Sequence, residues 1–140
     1  MKKRVLITIT VVMTAAALVF CALWLSAARG ESGLELLARS GANEAYTRFS
    51  DYRESDSDGD YYGGVAGFRV FQEAYVLLSD ETDSTERLVL NDVYGGLLIS
   101  PDLSEEDIDE LTEIMRLLSE NVRDIAVFQR LADFRGVFKG

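Results

Sequence analysis

The sequence predicts an all-α protein: a single N-terminal transmembrane helix followed by a small acidic bundle of about four helices. Three observations carry this reading. Residues 5–28 are an unbroken uncharged run, flanked by Lys2, Lys3 and Arg4 on one side and Arg29 on the other. Beyond it, apolar residues recur at spacings of three and four, the period of a helix buried along one face. The chain has a single Pro, and no Pro-rich or Ser-rich stretch divides the part beyond the leader.

The apolar run comes first. As a helix its 24 residues would reach roughly 36 Å, more than the hydrocarbon thickness of a bilayer. A cleavable signal has a shorter apolar region of about 7–15 residues, so the length favours a retained anchor over residues 1–29. Ser26, Ala27 and Ala28 nevertheless form an acceptable small-residue cleavage site, and cleavage after Ala28 would secrete the rest. Trp24 suits the membrane interface. Cys21 follows Phe20, where a lipidation signal wants a small residue, and reads as an ordinary apolar membrane residue. Ala17 with Cys21 and Ala22 with Ser26 set small residues four apart, a weak pattern for helix pairing in lipid. The basic start places the N-terminus in the cytoplasm and residues 30–140 outside it, at the periplasmic or cell-surface side.

Four helical segments follow. The first starts after Ser32, with Glu35 three residues on, and Leu34, Leu37, Ala38, Ala45, Phe49 and Tyr52 recur along it at helical spacing. Residues 54–64, dense in Asp, Ser and Gly, end it. The second covers residues 65–78, where Phe68, Phe71, Tyr75 and Leu78 favour helix over a strand at 68–78. Asp83 and Glu86 open the third, with Leu88, Val89, Val93 and Leu97 on one face and Gly95, Gly96 and Pro101 ending it. The last is the clearest. Leu103 reads as a staple and Ser104 as N-cap, Glu105, Glu106 and Asp107 fill the first turn, and one stripe runs through Ile108, Leu111, Met115, Leu118, Val122 and Ile125. Ile114, Leu117, Phe128 and Leu131 widen that stripe to bundle width.

Charge and composition then limit function. From Gly30 onward there are 10 basic against 24 acidic residues. That balance argues against nucleic acid, which needs a basic footprint. With no His and one Cys, there is no imidazole base, no Cys-His pair and no thiolate cluster. Catalysis would rest on Asp, Glu, Ser and Tyr alone, and the carboxylates at 105–113 are already explained by the helix dipole. An enzyme is therefore not expected, and no cofactor is implied apart from one ion.

That ion is calcium. Glu54, Asp56, Asp58 and Gly59 fall at positions 1, 3, 5 and 6 of a twelve-residue calcium loop, with Asp60 as a further oxygen donor. The match is incomplete, because position 12, normally a bidentate Glu, is Val65. The competing reading is a solvated turn.

The C-terminal end differs in sign, since residues 121–140 hold four basic and two acidic residues. Phe134, Arg135 and Phe138 read as an aromatic-Arg patch for docking a protein partner, against the alternative that they cap the core. Together these features lead to the expectation of a membrane-tethered, extracytoplasmic interaction module. Its partner is another envelope protein, itself basic, with this chain as accessory subunit or inhibitor of the immunity type. The alternative expectation is a calcium-responsive helical domain using residues 54–60.

Overall fold

The computed structural model describes residues 2–29, 33–78, 84–100 and 102–139. These form six α-helices and one short 3-10 turn: α1 (Lys2–Arg29), α2 (Gly33–Ser55), α3 (Asp58–Leu78), α4 (Ser84–Ile99), α5 (Glu105–Glu120), α6 (Ile125–Phe134) and the 3-10 turn Arg135–Lys139. Among the described residues there is no strand, so the all-α class holds and the strand alternative for 68–78 does not. Five helices follow the apolar one, not about four.

An antiparallel hairpin of α2 and α3 is the centre of the molecule, with α1 packed against both helices, α5 on α2 and α4 on α3. Small residues make the hairpin tight. A Cβ placed on Gly41 would lie 2.4 Å from the Phe71 backbone nitrogen, and one on Gly67 would lie 2.5 Å from that of Ala45. Gly64 leaves room for the Phe49 ring in the same way. Ala38, Ala42, Ala45, Ala66 and Ala74 are fully or almost fully buried in the core. Leu37, Phe49, Phe68 and Phe71 are buried with them. Close backbone approach increases the number of van der Waals contacts per residue, which offsets the low helix propensity of glycine.

Segment boundaries differ from the sequence-based expectation in three places, each for a local reason. The Asp/Ser/Gly stretch is almost all helix: only Asp56 and Ser57 separate α2 from α3. Asp56 takes a positive φ of 53°, a conformation Asp tolerates, and its N–H bonds to the Tyr52 carbonyl to close α2. Asp58 and Asp60 then sit in the first turn of α3, where the helix dipole favours acids. In α4, the Gly95–Gly96 pair does not end the helix, which continues to Ile99. Gly96 is required there by the Phe138 ring, whose Cγ would lie 2.3 Å from a Cβ. The last segment is two helices. Asn121 ends α5, its N–H bonding to the Leu117 carbonyl, and the Asp124 carboxylate caps α6 by accepting from the N–H groups of Ala126 and Val127.

That break reassigns the stripe. Ile108, Leu111, Ile114, Met115, Leu118, Val122 and Leu131 are buried, but Ile125 is 84% exposed at the start of α6. In α4, Leu88 likewise points outward while Leu90 takes the core position. The Ser104 cap is as expected, its hydroxyl accepting from the Asp107 N–H at 3.1 Å. The expected caps at Ser32 and Asp83, and Pro101, lie outside the described residues.

Candidate membrane and partner-binding surfaces

Three surfaces bear on function: the apolar helix and its seat, the acidic exterior, and the C-terminal end.

The span from Lys2 to Trp24 is long and apolar enough to cross a membrane, with a mean hydropathy of 2.5 in its most apolar window. Only 17% of that window is buried inside the molecule. The buried part is one narrow stripe, Val11, Ala15 and Ala22, with Ile7, Leu18 and Val19 partly covered beside it. Spacings of three and four place these residues on one helix face. Val5, Leu6, Ile9, Val12, Met13, Phe20, Leu23 and Trp24 face outward. Ala17 and Cys21 are exposed, Cys21 at the edge of the domain contact, whereas Ala15 and Ala22 are buried in it.

The seat of α1 is the α2–α3 hairpin, parallel to α3 and antiparallel to α2. One cleft of about 320 Å³ brings Thr10, Val11 and Thr14 beside Arg48, Gly63 and Ala66. A second, of about 290 Å³, brings Leu18, Cys21 and Ala22 beside Ser40, Gly41 and Glu44. Lys3 reaches the Asp58 carboxylate at 3.9 Å, an exposed pair that contributes little energy but marks the register. Charges therefore lie level with the middle of α1. Arg48 pairs with Glu44 at 2.9 Å and with Asp60 at 3.6 Å. At the centre of a bilayer a single Arg costs about 2.5–3.5 kcal/mol even on the mildest scale, so the hairpin cannot accompany α1 there.

The acidic exterior follows from an imbalance that ion pairs do not remove. Arg48, Arg53, Arg69, Arg116, Arg130 and Arg135 each pair with carboxylates. Acids still outnumber bases by 24 to 10 from Gly30 on, so the exterior keeps a large net negative charge. Arg53 ties α2 to α5 through Asp109 at 2.6 Å, and Arg130 ties α6 to α5 through Glu110 at 2.9 Å. The hydrogen bond and charge of Arg116 hold the Glu113 carboxyl below its ordinary range, which an ion pair on one helix explains without chemistry.

The calcium pattern is spread over two helices. Glu54 lies in the last turn of α2, Asp56 in the two-residue turn, and Asp58, Gly59 and Asp60 begin α3. Asp60 is engaged locally, accepting from the Ser55 hydroxyl at 2.6 Å. A twelve-residue loop with inward-turned oxygens is not what residues 54–65 form. Among the described residues, no group of three or more Asp, Glu or Cys side chains converges as metal ligands would.

The C-terminal trio turns inward. Phe134 is 5% exposed, and Phe138 meets its ring edge-on at 5.7 Å while lying over Gly96. Arg135 pairs with Asp92 of α4 at 3.5 Å. As placed, these side chains clamp the 3-10 turn to α4, so docking a partner through them would first require that turn to lift.

Sequence reasoning missed the close α2–α3 crossing that forms the seat of α1, although a signal for that crossing exists. Gly41 with Ala45, and Gly63 with Gly67, are small residues four apart on facing helices. Taken as sequence, glycines loosen a helix. In this fold they let two helices touch. Comparison with protein-family models, with curated proteins and with solved structures gives no match.

Proposed function

We propose that this protein is a membrane-tethered interaction module whose acidic helical domain lies outside the cytoplasm and binds another envelope protein, as an accessory subunit or an inhibitor of the immunity type. The observation that carries the reading is the pairing of two surfaces in one short chain. One is a helix apolar enough to span a bilayer. The other is a helical domain whose carboxylates greatly outnumber the cations that could neutralise them. Tethering raises the effective concentration of the domain near a membrane-bound target. Its acidic surface steers a basic partner toward it and makes association salt-dependent. Lys2, Lys3 and Arg4 ahead of the apolar run support an N-terminus held in the cytoplasm.

The same reading assigns no catalytic role. The Glu113 carboxyl owes its lowered ionisation to Arg116 on its own helix. The buried phenol, Tyr61, is engaged in holding the end of α4.

The test is affinity purification of the tagged full chain from detergent-solubilised membranes at about 50 mM and about 500 mM salt, a range over which exposed charge attraction is strongly screened. A basic membrane or exported protein should co-purify in stoichiometric amount at low salt and be depleted at high salt. Recovery of this chain alone at low salt overturns the proposal.

A further inference from the structure

We propose that the α2–α3 groove is a docking site for α1 that competes with the bilayer, so that α1 lies in the groove before membrane insertion and leaves it on insertion. This rests on the reading of α1 as a membrane span. The groove is shaped for a helix. Gly63 and Ala66 leave a channel beside Val11 and Thr14 at one end, and Gly41 and Val70 do so beside Leu18 and Ala22 at the other. Val11, Ala15 and Ala22, one-residue-wide contacts at helical spacing, are buried in it.

The two seats exclude each other. Thr10 to Ala22 lies inside the apolar span, and in the groove it runs level with Glu44, Arg48 and Asp60. Those charges cannot follow it into hydrocarbon. The seats also differ in what they cover. The groove leaves most of the apolar surface of α1 in water, whereas a bilayer covers all of it. Lipid therefore wins where it is present, and the groove shelters one face of α1 where it is not. Insertion then uncovers a strip of small residues along α2 and α3, on the domain side of the membrane.

Cys21 provides the test, because it lines the second cleft with Ser40 and is the chain's sole cysteine. The full chain carrying Ser40→Cys is synthesised cell-free, with and without phosphatidylcholine–phosphatidylglycerol vesicles, and then oxidised. A Cys21 disulfide to position 40 should form without vesicles and fall at least tenfold with them, as the protein becomes resistant to alkaline extraction. Asn43→Cys, on the same cleft, is the second reporter if the first variant misfolds. Gly63→Leu adds a Cβ whose three nearest neighbours all belong to the flexible Arg48 side chain, and its larger body fills the channel. It should abolish the disulfide without vesicles and leave insertion intact.

A disulfide that persists in alkali-resistant protein overturns the competition while leaving the membrane reading in place. A disulfide that persists in protein that alkali strips from vesicles overturns the membrane reading itself. Absence of a disulfide for both reporters without vesicles shows that the groove is not a seat for α1.

Discussion

Gly41 and Gly67 meet at the crossing of α2 and α3, each at a position where a methyl group would collide with the backbone of the opposite helix. A Cβ on either residue would also lie 2.9 Å from the carbonyl oxygen of the other. The contact is reciprocal, so neither helix can relax alone.

Gly67→Ala should therefore destabilise the protein by about 3 kcal/mol, the upper range for overpacking, because backbone rather than a movable side chain is in the way. Gly95→Ala is the matched control. Nothing lies within 4 Å of its added carbon, and it should stabilise α4 by about 0.5–1 kcal/mol through helix propensity. Thermal melting of the full chain in mild detergent reads both. Equal effects from the two substitutions would show that the crossing is not close-packed.

Tyr61 links the same hairpin to α4. Its hydroxyl donates to the Leu97 carbonyl at 2.7 Å, one of the last carbonyls of α4 and without a helical partner. Tyr61→Phe should cost about 1–2 kcal/mol by leaving that carbonyl unsatisfied. Burial pushes the phenol's ionisation above its ordinary value of 10.0. A group raised on folding contributes stability that is complete below the unfolded pKa and lost as pH rises above it. The stability gap between the parent and Tyr61→Phe should therefore be constant up to about pH 9 and narrow above pH 10. Denaturant melts across that range check it, and a gap that widens with pH would contradict the burial argument.

Asp124 makes α6 a separate helix by accepting two N–H groups at its start. Asp124→Ala should cost about 1 kcal/mol, and Asp124→Asn, which keeps the accepting oxygen, much less. If both substitutions are silent in melting experiments, the cap does not define the break.

Removal of residues 137–140 should destabilise the fold, as the core-capping alternative for the C-terminal end requires. Phe138 lies over Gly96 and against Phe134, and its loss should cost about 2 kcal/mol, less than for a wholly buried Phe because it is only partly covered. The melting temperature should fall by about 5–8 °C for a chain of this size. Phe138→Ala alone should reproduce most of that drop. An unchanged melting temperature would free the trio Phe134, Arg135 and Phe138 for partner binding.

Much of this architecture was written in local pattern. The length and apolarity of the first helix, the Ser104 cap and the stripe from Ile108 to Val122 need only neighbours within a few turns, so the sequence alone defined them. The same holds for the acidic exterior, which is a matter of counting charges. Tertiary packing decided the rest, because the deciding atoms are distant in sequence. Whether a glycine breaks a helix or admits a neighbour depends on what faces it: Phe138 faces Gly96, and the backbone of α2 faces Gly67. The Asp/Ser/Gly stretch became helix because α3 could bury Tyr61, Gly64 and Val65 against α2, outweighing their weak propensity. That α1 has a seat on its own domain was likewise a tertiary matter, because only the folded hairpin displays the groove that covers Val11, Ala15 and Ala22.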